Sequence, residues 1–309
     1  MIKALFSAPI DKWDKYEAPL HAAFALKGLQ VDLSPDHAAE DVDYVIYSPH
    51  GPVSDFSSFT KAKAVLSLWA GVEKIVTNPT LTQPLCRMVD AGLEEGMIEW
   101  VAGHVLRYHL GMDAHIVNPD HHWVPAVPPL ARRRKVTLLG LGALGAACAK
   151  TLASLRFDVS GWSRRPKDIA GITCFSGDDG LKEALERAEI LVLLLPLTTE
   201  TENLMNAERL GWLPKGAFLL NPGRGALVDD EALISALDTG HLAGATLDVF
   251  REEPLPQDHA FWPHPKVTVT PHIASETRAE TAAMVVAENI RRSEAGEPLL
   301  YLVDRTAGY

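Results

Sequence analysis

The chain has 309 residues, 47% hydrophobic and 22% charged, with a formal net charge of −11; it is long enough for two domains with separate cores and has the balance of a soluble globular protein. That acidity argues against a nucleic-acid partner, whose phosphates most of this surface would repel. The opening MIKALFSAPID lacks the apolar stretch of a signal peptide, and the longest apolar run, ILVLLLPL from Ile190, is about 8 residues against the roughly 20 of a membrane span. No membrane association and a cytoplasmic location are therefore expected. Cys86, Cys148 and Cys174 are too few and scattered for a disulfide framework or a zinc site. His121 and His122 are adjacent rather than four apart on a helix, so no metal is expected.

In chain order, IKALF (2–6), DYVIYS (43–48) and AKAVLSL (62–68) are predicted strands, with a helix around 12–27. EEGMIEWVAGHVLRYHL (94–110) carries Met97, Val101, Val105 and Tyr108 near one face, which predicts a long amphipathic helix linking two α/β units. Residues 111–130 read as a contact arm between subunits, and Arg132–Lys135, just before a strand, as a solvated linker. From Val136 the pattern becomes regular: VTLLG (136–140), FDVSGW (157–162), ILVLLLP (190–196), AFLLN (217–221), GATLDVF (244–250) and VTVTP (267–271) are predicted strands. Helices are predicted at 143–155, at 229–240 between an Asp229 cap and a Gly240 stop, and at 276–296, where the chain returns to the first unit. Strands alternating with helices imply a parallel sheet covered on both faces.

The motif G-L-G-A-L-G, Gly140 to Gly145, follows a strand and opens a helix, the context in which G-x-G-x-x-G binds a dinucleotide. Gly140 permits the tight turn, Gly142 lets a pyrophosphate approach the backbone, and Gly145 lets the helix pack closely on the sheet. The helix N-terminus, opened by Ala143 and Leu144, offers its N–H groups to the anion. An acid about 20 residues further on would bind a ribose 2′-hydroxyl; here the second strand ends instead in Ser163-Arg164-Arg165. Guanidinium groups grip a phosphate and a carboxylate would repel one, so the local charge points to NADP(H), with NAD(H) used at lower efficiency. Arg224, Glu253 and His272 follow later strands on the rim where doubly wound sheets bind ligands. A guanidinium there can hold a substrate carboxylate and polarise the adjacent carbonyl; the imidazole can protonate the oxygen, and the carboxylate can orient the imidazole.

These residues, with LGLGALG, LLPLTTETENLMN, LLNPGRGALVDDEAL, GATLDVFREEPLP, TPHIAS and the closing LVDRTAGY, resemble the D-isomer-specific 2-hydroxyacid dehydrogenase family, in particular its glyoxylate/hydroxypyruvate reductase A group, over almost the whole chain. The resemblance implies a Rossmann-type doubly wound parallel sheet for the coenzyme domain, residues 99–273. It also implies a smaller, flavodoxin-like α/β substrate domain built from residues 1–98 and 274–309, and a homodimer. Arg224 and His272 match the family's catalytic pair and Glu253 the histidine's partner. Asp248 matches the residue near the nicotinamide carboxamide; Pro196, Thr201 and Asn221 join the coenzyme set. The loop SLWAGVE (67–73), through Trp69, Ala70 and Gly71, matches the segment whose N–H groups bind the substrate carboxylate, but Trp69 and Glu73 depart from the commoner G-x-G-x-D. The activity implied is NADPH-dependent reduction of small 2-keto acids, glyoxylate to glycolate and hydroxypyruvate to D-glycerate. The bulky Trp69 leaves open larger keto acids such as phenylpyruvate, and the fold leaves open a nucleotide-sensing, corepressor-like binding protein.

Overall fold

The computed structural model describes residues 1–116, 118–123 and 125–305. Its elements in chain order are β1 (Ile2–Ser7), α1 (Trp13–Leu26), β2 (Val31–Ser34), β3 (Tyr44–Tyr47), β4 (Ala64–Ser67), α2 (Glu73–Val76), β5 (Leu85–Cys86), α3 (Ala91–Leu110) and α4 (Asp113–Ile116). Then follow β6 (Lys135–Leu139), α5 (Ala143–Ser154), β7 (Asp158–Trp162), β8 (Thr173–Phe175), α6 (Gly177–Glu186), β9 (Ile190–Leu193) and α7 (Ala207–Trp212). The chain continues through β10 (Ala217–Asn221), α8 (Asp230–Asp238), β11 (Leu242–Leu247), β12 (Val267–Val269) and α9 (Ala279–Glu294). The chain divides into two compact units, Met1–Leu93 with the residues from Thr277 onward, and Glu94–Glu276.

The first unit is an all-parallel sheet of order β2-β1-β3-β4-β5, the flavodoxin-like arrangement. Alternate residues along each strand face opposite sides. Phe6, Ile46 and Leu66 pack with Leu20 and Phe24 of α1 and with Val286 and Ile290 of α9; Leu5, Val45 and Val65 pack on the other face with Phe56 and Ile75. The final helix thus completes the core of the unit that the chain began with.

The second unit is a seven-stranded parallel sheet of order β12-β11-β10-β9-β6-β7-β8, a Rossmann-type doubly wound fold. Its central strand β9 shows why the apolar run ILVL is continuous: all four residues are fully buried. Leu191 and Leu193 pack with Leu185, Leu233 and Leu237, whereas Ile190 and Val192 pack on the opposite face with Val101, Val105 and Leu152. The strand order reverses between β6 and β9, which puts the ligand crevice outside their carboxyl ends.

Seven elements lie beyond the sequence expectation: β2, β5, β8, α2, α4, α6 and α7. β2, β5 and β8 are edge strands of two to four residues, too short to show a period. Several strands stop short of their expected ends, among them β9 at Leu193, β11 at Leu247 and β12 at Val269. In the basic run before β6, Arg134 pairs with Glu189 at 3.3 Å. In the segment 111–130, Ile116, Trp123 and Val127 are largely exposed; Val117 and Val124, like Thr306–Tyr309 of the closing motif, lie outside the described residues. Among the described residues no helix is long and apolar enough to cross a membrane, and no cluster of three or more His, Cys, Asp or Glu could hold a metal ion.

Candidate active site

The glycine motif forms the turn between β6 and α5. Gly140 sits at φ 107, and a Cβ there would approach the Leu194 carbonyl oxygen of the neighbouring strand end to 2.4 Å. A Cβ on Gly145 would stand 1.8 Å from the Gly140 oxygen, so helix and turn touch through hydrogen alone. Gly142 differs: a Cβ there would meet nothing within 4 Å. It is the N-cap of α5 and gives no side-chain cap, so the first-turn N–H groups of Ala143, Leu144 and Gly145 face an open approach. That combination suits an anion such as a pyrophosphate.

Ser163, Arg164 and Arg165 leave the end of β7 as a turn in which the Ser163 hydroxyl donates to the Arg165 carbonyl at 2.8 Å. Both arginines and Lys167 are exposed. Across from them Glu200, absent from the sequence-level set, has a carboxyl held below the ordinary value, first by the Thr198 hydroxyl and in smaller part by Arg164. In the loop after β9 the Thr201 hydroxyl accepts from the Thr198 N–H at 2.7 Å and donates to the Pro196 carbonyl at 2.7 Å. Pro196 and Thr201 thus shape that loop together.

The residues expected to carry chemistry stand at the ends of β10, β11 and β12. Asn221, 1% exposed, accepts from the Gly223 N–H and donates to the Arg224 carbonyl at 2.9 Å. Its side chain therefore ties down the turn that presents Arg224. That turn is also pressed from behind, since a Cβ on Gly225 would come within 2.1 Å of the Phe250 backbone. Glu253 receives the Phe250 N–H on one oxygen at 2.9 Å and contacts His272 Nδ1 with the other at 2.7 Å. Burial pushes the Glu253 carboxyl up, but the His272 bond, the Phe250 N–H and nearby Arg224 together hold it below its ordinary value. With Nδ1 engaged by a carboxylate, Nε2 is the nitrogen left to exchange a proton. His272 lies at φ 54, a region uncommon for a residue with a Cβ.

Asp248, 1% exposed, takes the Thr270 hydroxyl and the Ile273 N–H on Oδ1 and the Ala274 N–H on Oδ2. Thr270 also accepts from the Trp100 indole at 3.3 Å. Sequence reading missed Thr270 and Trp100; they lie 170 residues apart, and no local pattern connects them.

In the other unit, the loop after β4 is held by Ser67, whose hydroxyl accepts from the Trp69 N–H at 3.0 Å and donates to the Trp69 carbonyl at 3.1 Å. Met88 N–H also donates to that carbonyl, at 3.0 Å. The Trp69 ring, 38% exposed, stands edge-on to His50, their centroids 5.6 Å apart. His50 was not among the expected residues. Ala70 and Gly71 are half-buried, and Glu73 opens α2.

Comparison with known proteins agrees with this architecture. Residues 107–274, more than half of the chain, match the family model "D-isomer specific 2-hydroxyacid dehydrogenase, NAD binding domain". The chain is 38% identical over 279 residues to the glyoxylate/hydroxypyruvate reductase A of Yersinia enterocolitica, covering 87% of this chain and 88% of that protein. A D-isomer specific 2-hydroxyacid dehydrogenase from Xanthobacter autotrophicus, solved with NADPH and MES, superposes with a TM-score of 0.93 at 41% identity over 99% of both chains. An NADPH-dependent glyoxylate/hydroxypyruvate reductase from Sinorhizobium meliloti, solved with NADP and sulfate, gives a TM-score of 0.90 at 33% identity over 100% of both. The chain belongs to the D-isomer specific 2-hydroxyacid dehydrogenase family.

Proposed function

We propose that the protein is an NADPH-dependent reductase of small 2-keto acids, converting glyoxylate to glycolate and hydroxypyruvate to D-glycerate. The observation that carries this reading is the His272 Nδ1–Glu253 pair at 2.7 Å, near Arg224 and at the carboxyl ends of the sheet that holds the glycine turn. The open face of Gly142, the uncapped start of α5 and the arginines after β7 fit a dinucleotide bearing a 2′-phosphate. When bound, that coenzyme supplies the hydride that goes to C2 of the keto acid. Arg224 holds the substrate carboxylate and polarises the carbonyl at C2. His272 gives the proton on Nε2 to the oxygen that gains charge, and Glu253 stabilises the charged imidazole and fixes its plane. Trp69, Ala70 and Gly71 are assigned to substrate binding, and the unit that carries them takes the substrate-binding role, while Glu94–Glu276 takes the coenzyme role. The similar reductase A from Yersinia enterocolitica supports the substrate class, and the NADPH- and NADP-bound relatives support the coenzyme. A cytoplasmic homodimer, using residues 111–130 as a contact arm, completes the proposal.

The test is NADPH oxidation with a panel of glyoxylate, hydroxypyruvate and phenylpyruvate, repeated with NADH. Turnover of the two small acids, faster with NADPH, is expected. NADPH binding without oxidation by any 2-keto acid would replace this reading with a nucleotide-sensing protein. A preference for phenylpyruvate would instead assign the protein to larger 2-keto acids.

A further inference from the structure

β11 and β12 stop at Leu247 and Val269, and the next residue of each, Asp248 and Thr270, reaches across to the other at 2.5 Å. From there the chain runs Thr270-Pro271-His272-Ile273-Ala274; the Thr270 N–H donates to the Leu247 carbonyl at 2.9 Å, and Asp248 takes three N–H groups and a hydroxyl from this segment. Its carbonyl accepts the His272 N–H at 2.8 Å. Its carboxylate accepts the Ile273 N–H at 3.0 Å, the Ala274 N–H at 2.9 Å and the Thr270 hydroxyl. Pro271 alone has no N–H to give. On the far side, the Trp100 indole of α3 donates to Thr270, and His104 packs on that indole with ring centroids 4.4 Å apart. Thr270 is thus held between the indole and the carboxylate.

A histidine at φ 54 keeps that backbone only where its surroundings fix it. The bonds to Asp248 flank His272 on both sides and take up both carboxylate oxygens, Oδ1 twice. We infer that Asp248, braced by Thr270 and Trp100, is a positioning residue that sets the His272 backbone so that the imidazole meets Glu253. This role differs from the coenzyme contact its sequence position suggests. It rests on the proposed protonation by His272. Trp100 lies far from the other two in the chain and outside the motifs that carry Asp248 and Thr270.

The test is Thr270→Val, which keeps the shape and removes the hydroxyl, beside Thr270→Ser, which keeps the hydroxyl. A misplacement of about 1 Å costs up to roughly 10²-fold in rate, so the Val variant should lose about 10- to 10²-fold in kcat, with KM for NADPH unchanged. A solvent deuterium isotope effect on kcat should also grow as proton transfer becomes limiting, and Ser should restore both. The inference is overturned by wild-type kcat in the Val variant, by a defect confined to KM for NADPH, or by equal losses in Val and Ser. Should the Val variant not fold, Trp100→Phe carries the same measurement: a smaller fall in kcat at constant KM for NADPH supports the brace, and unchanged kcat overturns it. A wild-type protein inactive on every 2-keto acid would sink the proposed function; an active one indifferent to Thr270 and Trp100 would sink this inference alone.

Discussion

At the ends of β10 and β11 the supporting polar side chains are buried and cross-bonded. Asn221 and Asp248 are each 1% exposed, and the hydrogen bonds they make end on the turns that carry Arg224 and His272. At the end of β7, on the same sheet, Arg164, Arg165 and Lys167 are exposed, on a turn that the Ser163 hydroxyl helps to shape. The difference follows from the tasks proposed for them. A proton must arrive at one atom from one direction, so its donor needs a frame that does not yield. A doubly charged phosphate is recognised by charge over several ångströms, so exposed cations suffice, at the cost of sensitivity to salt.

The largest expected effect lies on the braced rim. His272→Ala should lower kcat by roughly 10²–10⁴-fold, the range for a positioned acid–base group, with NADPH binding retained; loss of NADPH binding in parallel would mean the rim and the coenzyme turn are not separable. Next comes the exposed turn. Arg164→Ala with Arg165→Ala should reduce the preference for NADPH over NADH by about 10²-fold, since each charge-assisted bond outweighs a neutral one. Raising ionic strength from low to about 0.5 M should weaken NADPH binding while leaving kcat at saturation nearly constant. Equal loss with both coenzymes would remove the 2′-phosphate assignment.

A third test concerns pH. The Glu253 carboxyl is held below its ordinary value in the fold. Its partnership with His272 is therefore complete above the ordinary carboxylate range and is lost as pH falls through the depressed value. Glu253→Gln removes the negative charge that favours the protonated imidazole, so the alkaline limb of kcat/KM for reduction should move to lower pH. An unmoved limb would show that the 2.7 Å contact has no electrostatic consequence. The smallest effect is structural: the Asp229 carboxylate caps α8 by accepting the Ala232 N–H at 3.0 Å. Asp229→Ala should cost about 1 kcal/mol in thermal or denaturant unfolding with little change in kcat. A large kcat loss would mean the rim depends on α8 as well as on Asn221 and Asp248.

Much of the architecture was legible in the chain. The fully buried ILVL of β9 and the glycines at 140 and 145 have local causes, a strand covered on both faces and a turn with no room for side chains, while Gly142 leaves the approach to the helix start open. The edge strands β2, β5 and β8 escaped because two to four residues carry no period. At the candidate site, Arg224, Glu253 and His272 could be picked out by residue type and by place after a strand. The bonds that fix them could not: a buried Asn or Asp in sequence reads equally as a ligand contact or as a brace.

The sequence by itself determined the alternation of strands and helices, the position of the glycine turn and the sign of the charge after β7, because each depends on residues a few positions apart. Only the tertiary structure decided that Trp100, Thr270 and Asp248 join around His272. Those partners come from different strands and from a helix 170 residues away, and a hydrogen bond is made only when packing brings donor and acceptor within about 3 Å.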